Sequence, residues 1–147
     1  MNKLIWILLA LLCGAFLPIQ AGLITRLGKM IESPMYASLF SFVVGTVALL
    51  AYIIITRQSF SWAGAKEVPG YLWTGGLLGA FYISMIILIF PQLGPGLTFG
   101  LIVAGQMVVS VILEHKNILV NQAHAINPIK LCGVALVIIG VIIIRKY

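Results

Sequence analysis

The chain has 147 residues, 62% hydrophobic and 8% charged, with a formal net charge of +6. A soluble domain carries about 25% charged residues, so the composition excludes a water-soluble globule and points to lipid as the main solvent. The nine basic residues are scattered over loop ends without a patch, which argues against a nucleic-acid surface, since Lys and Arg beside spans anchor them to headgroups.

Uncharged runs cover 4–24, 35–56, 68–113 and 131–144. A helix needs about 20 mostly apolar residues to cross a bilayer. The third run is too long for one crossing, and PQLGP at 91–95 breaks it, because proline lacks the amide donor and disfavours helix in the residue before it. The reading is an all-α membrane protein: a single transmembrane domain over 1–147, with spans at 4–24, 35–55, 70–90, 96–113 and 129–145.

The first span begins like a secretory signal, with Lys3 before an apolar run that reaches Cys13. The run continues to Ile24, longer than a signal core, and Leu12 is too large to precede a lipid-modified cysteine. An uncleaved span is expected. It holds Pro18, which removes a backbone hydrogen bond, and Gln20, an amide that could serve the freed carbonyls or face a cavity. The second span carries small residues at Ala37, Ser41 and Gly45, and the third at Gly75 and Gly79, beside Gly76, Ala80, Tyr82 and Ser84.

The fourth span is two-faced. Gly96, Gly100 and Ala104 recur at steps of four, the pattern by which membrane helices approach closely. Offset by two residues run Thr98, Ile102, Gln106, Ser110 and Glu114, a mostly polar stripe that drifts slowly around the helix. Polar groups inside a bilayer usually face a bundle interior or a watered cavity. Gln106 is therefore either a bond to a neighbouring helix or part of a cavity wall.

The stretch 114–128 is read as the longest and most polar loop, its ILV triplet at 118–120 lying on the membrane surface. In the fifth span Gly133 and Gly140 share a face, a seam for a second copy. No carboxylate lies deep in a span: Glu32, Glu67 and Glu114 sit at ends or in loops. Glu114 beside His115 is the one titratable pair near the polar stripe, and the two are the candidates for coupling. Cys13 and Cys132 fall inside spans and are expected as free thiols. There is no CxxC, no His pair at ligand spacing and no phosphate-binding glycine loop, so neither metal nor cofactor is expected.

Trp6, Tyr36, Trp62, Tyr71, Trp73, Phe90 and Tyr147 lie near span ends, as interfacial rings do. Five threadings put Lys3, Arg57, Lys66, Lys116 and Lys130 on the N-terminal side and Arg26, Lys29, Arg145 and Lys146 on the other. Orientation follows the Lys/Arg imbalance, and five against four is almost none. Insertion both ways round would let two copies pair head to tail, the inverted arrangement that transporters use around a central site.

The segments FLPIQAGLITRLG at 16–28, FSFVVGT at 40–46, GGLLGAFY at 75–82 and LIVAGQMVVSVILEH at 101–115 resemble the five-helix YdcZ-type branch of the drug/metabolite transporter superfamily, over nearly the whole chain. The resemblance implies an inner-membrane transporter, multi-pass in a bacterial cytoplasmic membrane. Larger members have ten spans in two inverted halves, which implies that a five-span chain is half of such a bundle and dimerises. Gln20, Gln106 and Glu114 fall on motif positions of the group. Where members often have Asn four residues after the first motif Gln, this chain has Ile24. The related small multidrug exporters carry a Glu deep in helix 1, and this chain has none, so proton-coupled export of organic cations is not carried over.

The expected function is transport of a small neutral or zwitterionic metabolite by alternating access in an antiparallel homodimer, with Gln20, Gln106, Ser110 and Tyr82 as substrate contacts. The alternative is a non-transporting membrane scaffold or accessory subunit. An enzyme is not expected, since no nucleophile and base stand at workable spacing. The expected partners are a second copy, the bilayer and a small-molecule substrate, with no nucleic acid.

Overall fold

Lipid offers no hydrogen bonds to a peptide group, so a chain that crosses it has to satisfy its own backbone, most simply as helix. A computed structural model describes residues 3–119 and 127–146. The helices are α1 (Lys3–Met30), α2 (Pro34–Ile55), α3 (Trp62–Glu67), α4 (Gly75–Lys116) and α5 (Pro128–Lys146), with a 3-10 turn at Gly70–Thr74. All but the short α3 are long and apolar enough to cross a membrane.

α4 consists of two helical stretches that meet at a kink. At Gly94 the backbone turns to φ 73°, ψ 166°, a region open essentially to glycine alone. Pro95 explains the position: its ring pushes the preceding residue out of the helical region, while its own fixed φ suits the first turn of the next helix. The break read from PQLGP is therefore one residue, and the helix runs on through Pro91 to Leu93. The helices run past the charges that bound the apolar runs. α1 carries Arg26 and Lys29 within its helix, and α4 extends to Lys116, because a helix does not stop where its side chains become charged.

Three helices end alike. Ser33 donates to the Gly28 carbonyl at 3.0 Å, Gln58 to Ile53 at 3.1 Å and Ile118 to Leu113 at 3.0 Å. Each bond closes over a residue of positive φ: Glu32 at 54°, Arg57 at 51° and Asn117 at 51°. These are six-to-one helix closures, made here without the glycine that usually takes the left-handed position.

The chain divides into two compact units, Met1–Pro91 and Gln92–Tyr147. In the first, α1 and α2 pack after a turn of only three residues. Gly28 makes this possible: a Cβ there would lie 3.3 Å from Pro34 Cα and 3.5 Å from Ala37 Cβ. Ile24, Ala37 and Ile87 form the core, with Ile83 packed against it. In the second unit Gly96 and Gly100 face α5. A Cβ on Gly100 would stand 3.1 Å from Val141 Cγ2, and one on Gly96 3.7 Å from Ile144 Cγ2.

Phe90, read as an interfacial ring, is half-buried, and a Cβ on Gly22 would lie 4.0 Å from it. Trp6, Tyr36, Trp62, Tyr71 and Trp73 are exposed. Tyr147 and Val120 of the ILV triplet lie outside the described residues.

Replacing Gly94 with alanine puts a Cβ into a conformation that disfavours it and should lower stability by about 1–3 kcal/mol. Gly14→Ala lies in an open helical position and should be neutral or slightly stabilising. Thermal melting of the two purified variants in detergent checks the contrast.

Candidate functional site

In the first unit, the bend-prone segment after Pro18 presents Gln20 toward α2. Gln20 and Ser41 line a cleft of about 390 Å³ among Phe16, Leu23, Phe40 and Val44. Both also line a neighbouring cleft of about 270 Å³, with Thr46, Leu49 and Ile83. An amide and a hydroxyl thus stand on walls that are otherwise apolar. Among the described residues, no ionisable group lines either cleft. The Thr46 hydroxyl donates back to the Phe42 carbonyl at 2.8 Å.

Tyr82 is half-buried and lines neither cleft. Its hydroxyl, like that of Thr25, is buried with no hydrogen-bond partner among the described residues. A stranded hydroxyl costs about 1–3 kcal/mol. Ser84 donates to Ser38 at 3.3 Å, and Ser38 donates to the Pro34 carbonyl at 3.3 Å. The first unit therefore holds a set of uncharged hydroxyl groups in its interior.

In the second unit the polar stripe does not stay on one side. Each four-residue step turns the helix about 40°, so four steps carry it roughly 160° around. Thr98 is 2% exposed, Ile102 half-buried, Gln106 and Ser110 exposed and Glu114 half-buried again. Gln106 lines neither cleft of the first unit, nor the second-unit pocket that takes Ser110. That pocket, of about 280 Å³, lies between α4 and α5 and is lined by Met107, Ser110, Val111, Glu114, Lys130, Gly133 and Val134.

Lys130 donates to Glu114 at 2.8 Å, with the two side chains 40% and 32% exposed. At that exposure the pair adds about 0–1 kcal/mol. Both charges also oppose their helices. Glu114 sits in the last turn of α4 and Lys130 in the first turn of α5, whereas helix dipoles favour a cation at a C-terminus and an anion at an N-terminus. The adjacent His115 is exposed. Gly133 and Gly140 have no neighbour within 4 Å of an added Cβ, and Ala104 is half-buried. Cys13 and Cys132 are free and exposed.

Sequence reasoning singled out Gln20, Ser110 and Glu114 but gave Ser41 only a packing role and counted Lys130 as a headgroup anchor. No periodicity links Lys130 to Glu114, because the two lie on different helices.

These features define an all-helical, multi-pass membrane protein with uncharged polar groups set into apolar helix walls. The chain belongs to the family described as "Putative inner membrane exporter, YdcZ", which it matches over residues 5–143. It is 24% identical over 153 residues to the inner membrane protein YdcZ of Escherichia coli (strain K12), covering 99% of this chain and 98% of that protein. No solved structure matches it. It is an inner-membrane protein.

Two outcomes follow for the second unit. Gly100→Leu should markedly lower the melting temperature in detergent, whereas Ile102→Leu should change it little. Exchanging the pair, Glu114→Lys with Lys130→Glu, keeps the ion pair and aligns both charges with their helices. At ~0.3–1 kcal/mol for each end, the exchanged protein should melt at or above the parent temperature.

Proposed function

We propose that the protein is an inner-membrane transporter for a small neutral or zwitterionic metabolite, working by alternating access as an antiparallel homodimer. The observation that carries the substrate class is the setting of Gln20. Its amide offers two donors and a two-lone-pair acceptor without a formal charge, and it stands with Ser41 on cleft walls that hold no ionisable group. Such a wall recognises hydrogen-bonding solutes and avoids the high energy of an ion within the bilayer. Tyr82 in the same unit, and Gln106 and Ser110 in the second, are proposed as further polar contacts, with Glu114 and His115 as the groups available for coupling.

The dimer is supported by how little the chain covers of itself. Only 11% of the most apolar window of α1 and 6% of that of α2 is buried. Lipid can cover an apolar face, but the clefts beside Gln20 and Ser41 suit a second protein surface. The near-equal division of basic residues supports copies of opposite orientation, paired along Gly133 and Gly140.

Reconstitution into liposomes tests transport directly. Gln20→Leu should cut uptake of the responsive solute at least tenfold with the oligomer intact, and Leu11→Ile, at an exposed apolar position, should not. Uptake unchanged in Gln20→Leu would remove the amide from the substrate path. With Cys13 and Cys132 changed to serine, a cysteine added at the C-terminus should label from both sides of intact vesicles. Labelling from one side only would exclude the antiparallel dimer.

A further inference from the structure

We infer that the pocket between α4 and α5 is a recognition site for a small zwitterion, in which Lys130 takes the anionic group and Glu114 the ammonium. The inference rests on the proposed transport function and deepens it, choosing the zwitterionic of its two substrate classes. The shared chemistry is an ammonium a few bonds from a carboxylate or phosphate. A free α-amino acid and a zwitterionic lipid headgroup both present it.

Four observations converge. The two charges line one pocket of about 280 Å³ together with the Ser110 hydroxyl, a size just below the ~300–1,000 Å³ of sites for drug-sized ligands. Met107, Val111 and Val134 supply an apolar wall for a short aliphatic group. The charges are placed against their helix dipoles, so an exchanged pair would serve the helices better. Their present polarity therefore calls for an explanation other than helix stability. Finally, Gly133 leaves its part of the wall bare, with nothing within 4 Å of a Cβ built there.

The exchange is electrostatically balanced. Lys130 and Glu114 pair with one another at 2.8 Å. On binding, each trades its partner for the opposite charge of the ligand, and the site stays neutral in both states. A ligand with one charge fails, because it pairs with one residue and strands the other. Discrimination thus comes as much from the charge left unpaired as from the contact made. Both side chains are partly exposed, so they reach a ligand without the chain opening.

The test uses the full chain in nanodiscs of phosphatidylglycerol alone, with binding of radiolabelled α-amino acids from glycine to leucine measured by scintillation proximity. At least one should bind saturably, and n-butyrate and n-butylamine should compete at least tenfold less well than the unlabelled amino acid. Lys130→Gln and Glu114→Gln should each weaken binding tenfold or more. Gly133→Val fills the pocket and should do the same, with the oligomeric state measured beside it because Gly133 also lies on the proposed seam between copies, whereas Gly105→Val, unobstructed and outside the pocket, should bind as the parent does. Adding phosphatidylethanolamine to the nanodiscs separates the sources: displacement identifies a headgroup, and unchanged binding a free metabolite. Absence of amino-acid binding, equal competition by the singly charged analogues, or parental binding in Gly133→Val would overturn the inference. Binding with this dependence but no uptake in liposomes would instead sink the transport reading and leave the pocket standing. Uptake of other solutes without amino-acid binding would do the reverse.

Discussion

Inside a bilayer an unpaired amide has no water to turn to, and each stranded group costs several kcal/mol. That constraint governs every departure from regular helix in this chain. The break in α4 is confined to one glycine beside a proline, so few backbone groups are released. Hydroxyl side chains return to their own helix, as Thr46 does to Phe42 and Thr56 to Tyr52. Helix ends close on themselves by six-to-one bonds even where Glu32, Arg57 and Asn117 must take a left-handed conformation. Against this economy the buried hydroxyls of Thr25, Tyr82 and Thr98, without a hydrogen-bond partner among the described residues, stand out.

Once the backbone is satisfied, association needs another source of energy, because lipid tails are as apolar as leucine. Here it comes from close approach. Gly28 lets α2 begin against α1, and Gly100 admits Val141. The contacts are local to a turn or a helix crossing, and long stretches of each helix remain apolar and exposed. A site in such a protein therefore consists of a few polar groups at crossings. Gln20 with Ser41 and Glu114 with Lys130 are two such groupings.

Helix identity was legible from hydropathy alone, since runs of apolar residues this long have one use. The break at 91–95 was legible too, as a Pro/Gly cluster, although only Gly94 leaves the helix. Pro91 does not, because a proline inside a helix removes one bond and bends the path without having to end it. The helices themselves run farther than the uncharged runs, as at Arg26 and Lys29, since hydropathy marks apolar stretches and not helix termini. The short α3, outside the long apolar runs, gave no hydropathy signal, and the 3-10 turn at Gly70–Thr74 was read as the start of the third span. At the sites, Gln20 and Ser110 could be found as polar residues in apolar surroundings. The pairing of Glu114 with Lys130 could not, because contacts across a loop leave no mark in spacing. The stripe through Gln106 drifts around the helix, since a step of four residues is close to a helical turn but not equal to it, and the difference accumulates.

The three-residue turn between α1 and α2 also bears on how the chain is made. Too little polypeptide joins the two helices for either to be threaded and then reoriented alone. They enter the bilayer as one hairpin, carrying Arg26, Lys29 and Glu32 together on or beside the turn. The hairpin's orientation is a single decision taken during synthesis. Residues farther along can change it only by turning the whole hairpin over.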